Sequence, residues 1–212
     1  QGGSFRDTPI LMVSCIKSDG KCTILGVLLS LSEAKRALEN LSREFGIHDV
    51  QLVISDDHAG LQAARKAFFT GITWQRCTFH LLQNAQSYVP LKAMQKEVVE
   101  DIRMIFNAHN REMAEAYLAE VVKKFEKIAP RLADWMEVNL PQGFSFYEFP
   151  QEHWQRIRTS NCLERISHEI KLRTRVIRVF PNEASCLRLV SSILMEIGED
   201  WEFGRVYLQM DP

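Results

Sequence analysis

The segment VQLVIS, residues 50–55, constrains this chain more than any other, because it is a short β-branched apolar run that ends on two adjacent acids, Asp56 and Asp57. Such a run suits a parallel strand buried on both faces, and a strand of that kind needs helices packed against it. The flanking segments supply them. Upstream, SEAKRALENLSREFGI carries Ala34, Ala37, Leu38, Leu41 and Phe45 at helical spacing, with Gly46 as a stop signal. Downstream, AGLQAARKAFF reads as a helix, and ITWQRCTFHLLQNAQSYV as a short strand passing into another. Nearer the start, PILMVSCI and CTILGVLLSL are apolar runs joined across Asp19-Gly20, which predicts an antiparallel hairpin.

From residue 91 to residue 140 the pattern becomes purely helical. Met94, Val98, Ile102, Ile105 and Phe106 mark one amphipathic helix. Met113, Ala116, Tyr117, Leu118, Val121 and Phe125 mark a second, and Leu132, Trp135 and Met136 a third. LPQGFSFYEFP reads as a loop or irregular extended segment, followed by a capped basic helix from Thr159 and a last helix in NEASCLRLVSSILMEIGEDW. The order predicts an α/β core interrupted by a helical insertion. The expected divisions are 1–90 for the first part of the core, 91–150 for the insertion and 151–212 for its completion.

Composition narrows the partners. The net charge is −1, so affinity for nucleic acid must come from local clustering rather than from the field of the whole molecule. Five cysteines without a framework spacing favour a reducing compartment, hence the cytoplasm. No apolar run approaches the roughly 18 residues that span a bilayer, so no membrane partner is expected. No signal peptide opens the chain, and its first residue is Gln1 with a β-rich pattern close behind, which reads as the later part of something longer.

Three clusters could carry chemistry. Asp56 sits where a buried strand ends, the position from which α/β proteins face their ligands. One of the two acids can cap the helix that follows; Asp57 is assigned that role, leaving Asp56 to face a cation. Glu164 follows Asn161 by three residues, which makes a capping box. The same helix region carries Arg156, Arg158, Arg165, Lys171, Arg173, Arg175 and Arg178 against only Glu164 and Glu169. Seven residues nearly complete two turns, so Lys171 returns to the face of Glu164. A solvated helix face is the plain reading of these bases; their one-sided sign favours a phosphodiester and a metal ion held together. Cys77 and His80 have a C-x2-H spacing, half of a zinc site, with a buried thiol beside a hydrogen-bonded histidine as the simpler account. Trp154, in HWQRIR, mixes an aromatic with bases and could stack on DNA.

VISDDHAGLQAARKAFF, TWQRCTFHLLQNAQSYVP, EHWQRIRTSNCLERISHEIKLRTRVIRVFPNEASCLRLV and EIGEDW, taken in that order, resemble the Mutator-type transposases of bacterial insertion sequences. The resemblance implies a ribonuclease H-like core with a helical insertion between the second and third acids of an Asp-Asp-Glu triad. By motif position Asp56 is the second acid and Glu164 the third, 108 positions apart. Cys77 and His80 fall on the family's C-x2-H signature. Asn161, Arg165 and Lys171 fall in the block around the glutamate, as candidates to order that helix and contact DNA. Two-metal phosphoryl transfer with Mg2+, or Mn2+ as a substitute, is the implied chemistry. DNA and a homo-oligomeric synaptic complex are the implied partners, with the bacterial cytoplasm and nucleoid as the location. The family's first Asp would lie upstream of Gln1, and neither Asp7 nor Asp19 replaces it, so impaired strand transfer is expected. The alternatives are a non-catalytic DNA-binding remnant that inhibits an intact transposase, and a general ribonuclease H-like nuclease.

Overall fold

The structure, a computed structural model, describes residues 10–29, 40, 43, 49–177, 179–202, 204 and 206–210. Most of the helix expected around Ala34 to Phe45, together with Asp7 and Arg178, lies outside the described residues. The fold mixes α and β, and the described strands form two two-stranded sheets. The chain divides into two compact units: residues 1–50, 58–71 and 161–212 in the first, and residues 51–57 and 72–160 in the second.

The first unit is built on the expected hairpin, β1 (Leu11–Ile16) and β2 (Cys22–Leu28). Gly20 takes φ +75° in its turn, a conformation that glycine adopts at little cost. The register slips between Val13 and Ser14, whose partners are Gly26 and Ile24, so Leu25 is an extra residue on β2. Side chains alternate across the ribbon and serve two cores. Leu11, Val13 and Leu28 pack with Leu61 and Ala64 of α1 (Ala59–Phe68). Met12, Ile24 and Val27 pack on the cluster formed by α7 (Asn161–Thr174) and α8 (Glu183–Glu202), with Ile166, Ile170, Val190, Ile193 and Leu194 buried. The carbonyl of Gly20 accepts hydrogen bonds from the backbone N–H groups of Tyr207 (2.8 Å) and Leu208 (3.0 Å), which ties the C-terminal segment to the hairpin turn.

In the second unit, β3 (Leu52–Ser55) pairs in parallel with β4 (Thr73–Arg76), Ser55 opposite Arg76. The chain then enters α2 (Thr78–Gln86) and the expected helices α3 (Gln95–Phe106), α4 (Arg111–Phe125) and α5 (Pro130–Asn139). Helix α3 buries Val98, Ile102, Ile105 and Phe106, an i, i+4, i+7, i+8 stripe. Each such side chain contributes roughly 1.5–3 kcal/mol when fully buried. Asn110 caps α4 by accepting the N–H of Met113 at 2.8 Å.

The segment expected as a loop is ordered instead as two 3-10 turns, Leu140–Gly143 and Ser145–Glu148, before α6 (Gln151–Ile157). Gln75 of β4 explains the difference. Its buried amide donates to the carbonyl oxygens of Gly143 (2.9 Å) and Arg76 (2.8 Å) and accepts the N–H of Phe146 (2.9 Å). Ser145 adds a bond from its hydroxyl to the Trp74 carbonyl at 2.7 Å. Gly143 allows the close approach this needs, since a Cβ there would lie 2.7 Å from Leu81 and 2.8 Å from Phe106.

Candidate functional site

Asp56 follows the last residue of β3 and is half-buried. One of its oxygens, Oδ1, accepts the backbone N–H of Asp57 at 2.7 Å, which fixes the direction of the carboxylate. Asp57 does not cap the next helix as expected. His58 takes that place, its Nδ1 accepting the N–H of Gly60 at 3.2 Å. Asp57 instead pairs with Arg76 at 3.2 Å. Arg76 is only 4% exposed, and its Nη1 also donates to Asn139 (2.8 Å) and Gln142 (3.1 Å). A guanidinium buried this deeply needs a carboxylate, and Asp57 supplies it.

The C-x2-H pair lies at the junction of β4 and α2. Cys77 is fully buried and begins the helix, and its backbone N–H donates to the Ser55 carbonyl at 3.0 Å, which locks the junction to β3. Its Sγ accepts from the Ser160 backbone N–H (3.4 Å) and hydroxyl (3.3 Å). Burial raises the thiol pKa, but hydrogen bonds from His80 and Ser160 outweigh it and hold the thiol below its usual range. His80 is a hydrogen-bonding neighbour of this buried thiol.

Glu164 stands in the first turn of α7, half-buried, in the first unit. The helix begins at Asn161. Ile166 and Ile170 are buried on it, with Leu163 partly buried beside them. Cys162 hydrogen-bonds with Cys22 of β2, a contact that with burial holds the Cys22 thiol far above its usual range. The side chains of Arg165, Lys171 and Arg175 are exposed. Arg173 is taken by acids: it bonds both carboxylate oxygens of Glu196, at 2.5 and 3.1 Å, and reaches Glu169 at 3.5 Å.

Arg158, like Arg156, lies outside α7. It ends α6 in the second unit, where its Nη1 donates to the Phe106 carbonyl and to Asn107 Oδ1, both at 2.9 Å. Its own carbonyl accepts the N–H of Thr78 at 2.9 Å. Gln75 and Arg76 are the site residues that sequence reasoning passes over. Two polar residues in succession on a buried strand were the available signal.

The sequence matches the description "Transposase, Mutator family" over residues 1–204. The chain belongs to the Mutator family of transposases. It is 42% identical to the transposase for insertion sequence element IS406 of Burkholderia multivorans, over 99% of this chain and 55% of that protein. It is 34% identical to the transposase for ISRM5 of Rhizobium meliloti, over 100% of this chain and 54% of the relative. The transposase for IS256 in transposon Tn4001 of Staphylococcus aureus is 30% identical over 97% of this chain and 55% of its own length. The chain thus spans about half the length of the curated relatives it matches. Among the described residues, no helix is long and apolar enough to cross a membrane.

Proposed function

We propose that this chain supplies part of the catalytic region for metal-dependent DNA cleavage and strand transfer in the transposition of an insertion sequence, with Asp56 and Glu164 as two of its cation-holding carboxylates. The proposed architecture is a ribonuclease H-like core interrupted by a helical insertion. Family membership supports the activity class, and the setting of Asp56 is the observation that carries the site assignment. Two acids follow β3; Arg76 takes Asp57, and the Asp57 N–H orients the other. That leaves Asp56 as the oriented acid at the mouth of a parallel strand, where α/β proteins bind their ligands.

The donor set fits the metal. Carboxylate oxygens are hard ligands suited to Mg2+, with Mn2+ as a substitute. Bound cations of this kind lower the pKa of an attacking water or hydroxyl and neutralise charge on the leaving oxygen of a phosphodiester. The chain's own residues do the rest. Asp56 and Glu164 hold the cations. Arg165 and Lys171 on α7, and Arg175 just past its end, present positive charge to the DNA backbone, contacts that are sequence-independent and weaken with salt. Arg178 is proposed for the same role. Arg173 contributes less than its neighbours, because Glu196 and Glu169 already offset its charge. Asn161, at the start of α7, orders the turn that carries Glu164, and Cys77 with His80 holds the β4–α2 junction near Ser55. DNA and further copies of the chain are the proposed partners, in the bacterial cytoplasm at the nucleoid.

A joining assay on element-end DNA in Mg2+ and in Mn2+ tests this reading. Strand transfer by the chain is expected to be impaired, and any joined products to disappear with Asp56→Asn and with Glu164→Gln. DNA binding without joined products, indifferent to both substitutions, selects a non-catalytic DNA-binding protein instead. Degradation of arbitrary DNA or RNA without joining selects a general nuclease.

A further inference from the structure

An open depression of about 310 Å³ lies within the second unit, between the end of α3 and helix α6. Asn107, His109, Gln151, Trp154, Gln155 and Arg158 line it, with no carboxylate among the described residues. Its volume is at the lower end of the roughly 300–1,000 Å³ of small-ligand pockets. Arg158 is half-buried there, and among the described residues its side chain bonds Phe106 O and Asn107 Oδ1, both from Nη1 and both neutral acceptors. A guanidinium carries five N–H donors, so these two bonds leave three on Nε and Nη2. Burial pulls the Arg158 pKa down, with Tyr147 the one group opposing it. A partly desolvated cation without a carboxylate partner is unfavourable unless an anion completes it. The contrast with Arg76 and Arg173 is direct, since each of those has an acid within 3.5 Å.

Trp154 supplies the second half of the site. Its indole N–H is committed to the Phe149 carbonyl at 2.7 Å, and its ring is wedged edge-on against Tyr147 (4.8 Å between centroids) and Phe146 (5.7 Å). The indole is therefore held in one orientation while part of it remains at the wall of the depression. An immobilised aromatic beside an uncompensated arginine matches a base next to its phosphate, and the amides of Asn107, Gln151 and Gln155 can meet base edges. A duplex keeps its bases stacked on one another, so only an unpaired strand offers that combination.

We propose that this depression binds an unpaired nucleotide of a DNA strand, the base against Trp154 and the phosphate on Arg158. The assignment rests on DNA being the polymer this chain handles, but it needs neither Asp56 nor Glu164. Binding is therefore measured in EDTA, by quenching of tryptophan fluorescence with oligothymidylate, with duplex DNA and with inorganic phosphate.

Gln155→Glu, an exposed change that puts a carboxylate beside the phosphate position, is expected to weaken oligothymidylate binding about tenfold, whereas the same change at exposed Gln83 of α2 leaves it within twofold. Trp154→Leu, checked for folding by circular dichroism, is expected to lower affinity by about tenfold or more. Equal weakening by Gln155→Glu and Gln83→Glu would show only a general field and overturn the site. Duplex binding with the same sensitivity to Gln155→Glu overturns the unpaired-strand assignment. Inorganic phosphate binding as tightly as the oligonucleotide, with that same sensitivity, overturns the nucleotide in favour of a small anion. Loss of joining activity with this pattern intact counts against the catalytic reading alone.

Discussion

Replacing Gln75 with leucine removes three hydrogen bonds at almost constant volume. The side chain is completely buried, and its amide joins β4 to both 3-10 turns through Gly143 and Phe146 and makes a third bond to the Arg76 carbonyl. Leucine opens no cavity but leaves the Gly143 carbonyl and the Phe146 N–H without this partner. A buried orphan costs about 1–3 kcal/mol, so these two cost about 2–6 kcal/mol together. The added apolar burial of leucine returns about 1–2 kcal/mol of that. The net expectation is a loss of about 3 kcal/mol, which for a chain of this size lowers Tm by roughly 6–12 °C. Urea denaturation followed by circular dichroism measures it directly. A loss below about 0.5 kcal/mol would refute the reasoning, because it would mean that Gln75 does not hold the turns in place.

Other perturbations probe separate links. Asp57→Asn leaves the buried Arg76 with neutral amide acceptors and, among the described residues, no carboxylate; because the Asp57 side chain is itself 40% exposed, the expected cost is about 1–2 kcal/mol in urea denaturation, well below that of a fully buried pair. Gly20→Ala puts a Cβ 1.8 Å from the Leu208 carbonyl oxygen at a backbone φ of +75°, so a loss of at least about 2 kcal/mol is expected, and an unchanged Tm contradicts the close approach. Burial pushes the Tyr147 phenol up to about 12, with Arg158 pulling it back, and its hydroxyl donates to the Ala108 carbonyl at 3.1 Å. The folded chain holds that proton more tightly than the unfolded one, so this stabilisation is complete below pH 10 and is lost as pH rises towards about 12. Ultraviolet titration should show a late-ionising tyrosine that Tyr147→Phe removes.

The sequence reading succeeded where local pattern is sufficient. The Asp19-Gly20 turn predicted the hairpin, and the stripes through Val98, Leu118 and Leu132 predicted three helices that bury those residues. It failed where a distant polar partner decides. The 140–150 segment carries no helical period of its own, and it is ordered by an amide 68 positions upstream of Gly143. Asp57 has the composition of a cap, but Arg76 claims it, and His58 caps the helix. The bases from Arg156 to Arg178 form one run in sequence, yet Arg158 is half-buried at the end of α6 while Arg165 and Lys171 are exposed on α7 and Arg175 just past it. Charge patterning reports sign along the chain; it does not report which acid or carbonyl each base will meet.

The central claim is that Asp56 and Glu164 hold divalent cations together. Crystals of the chain soaked in Mn2+ and read by anomalous scattering test it most directly. The account predicts a manganese peak coordinated by an oxygen of each carboxylate, and its loss in Asp56→Asn. Two carboxylates lying apart, with no manganese between them, would contradict it.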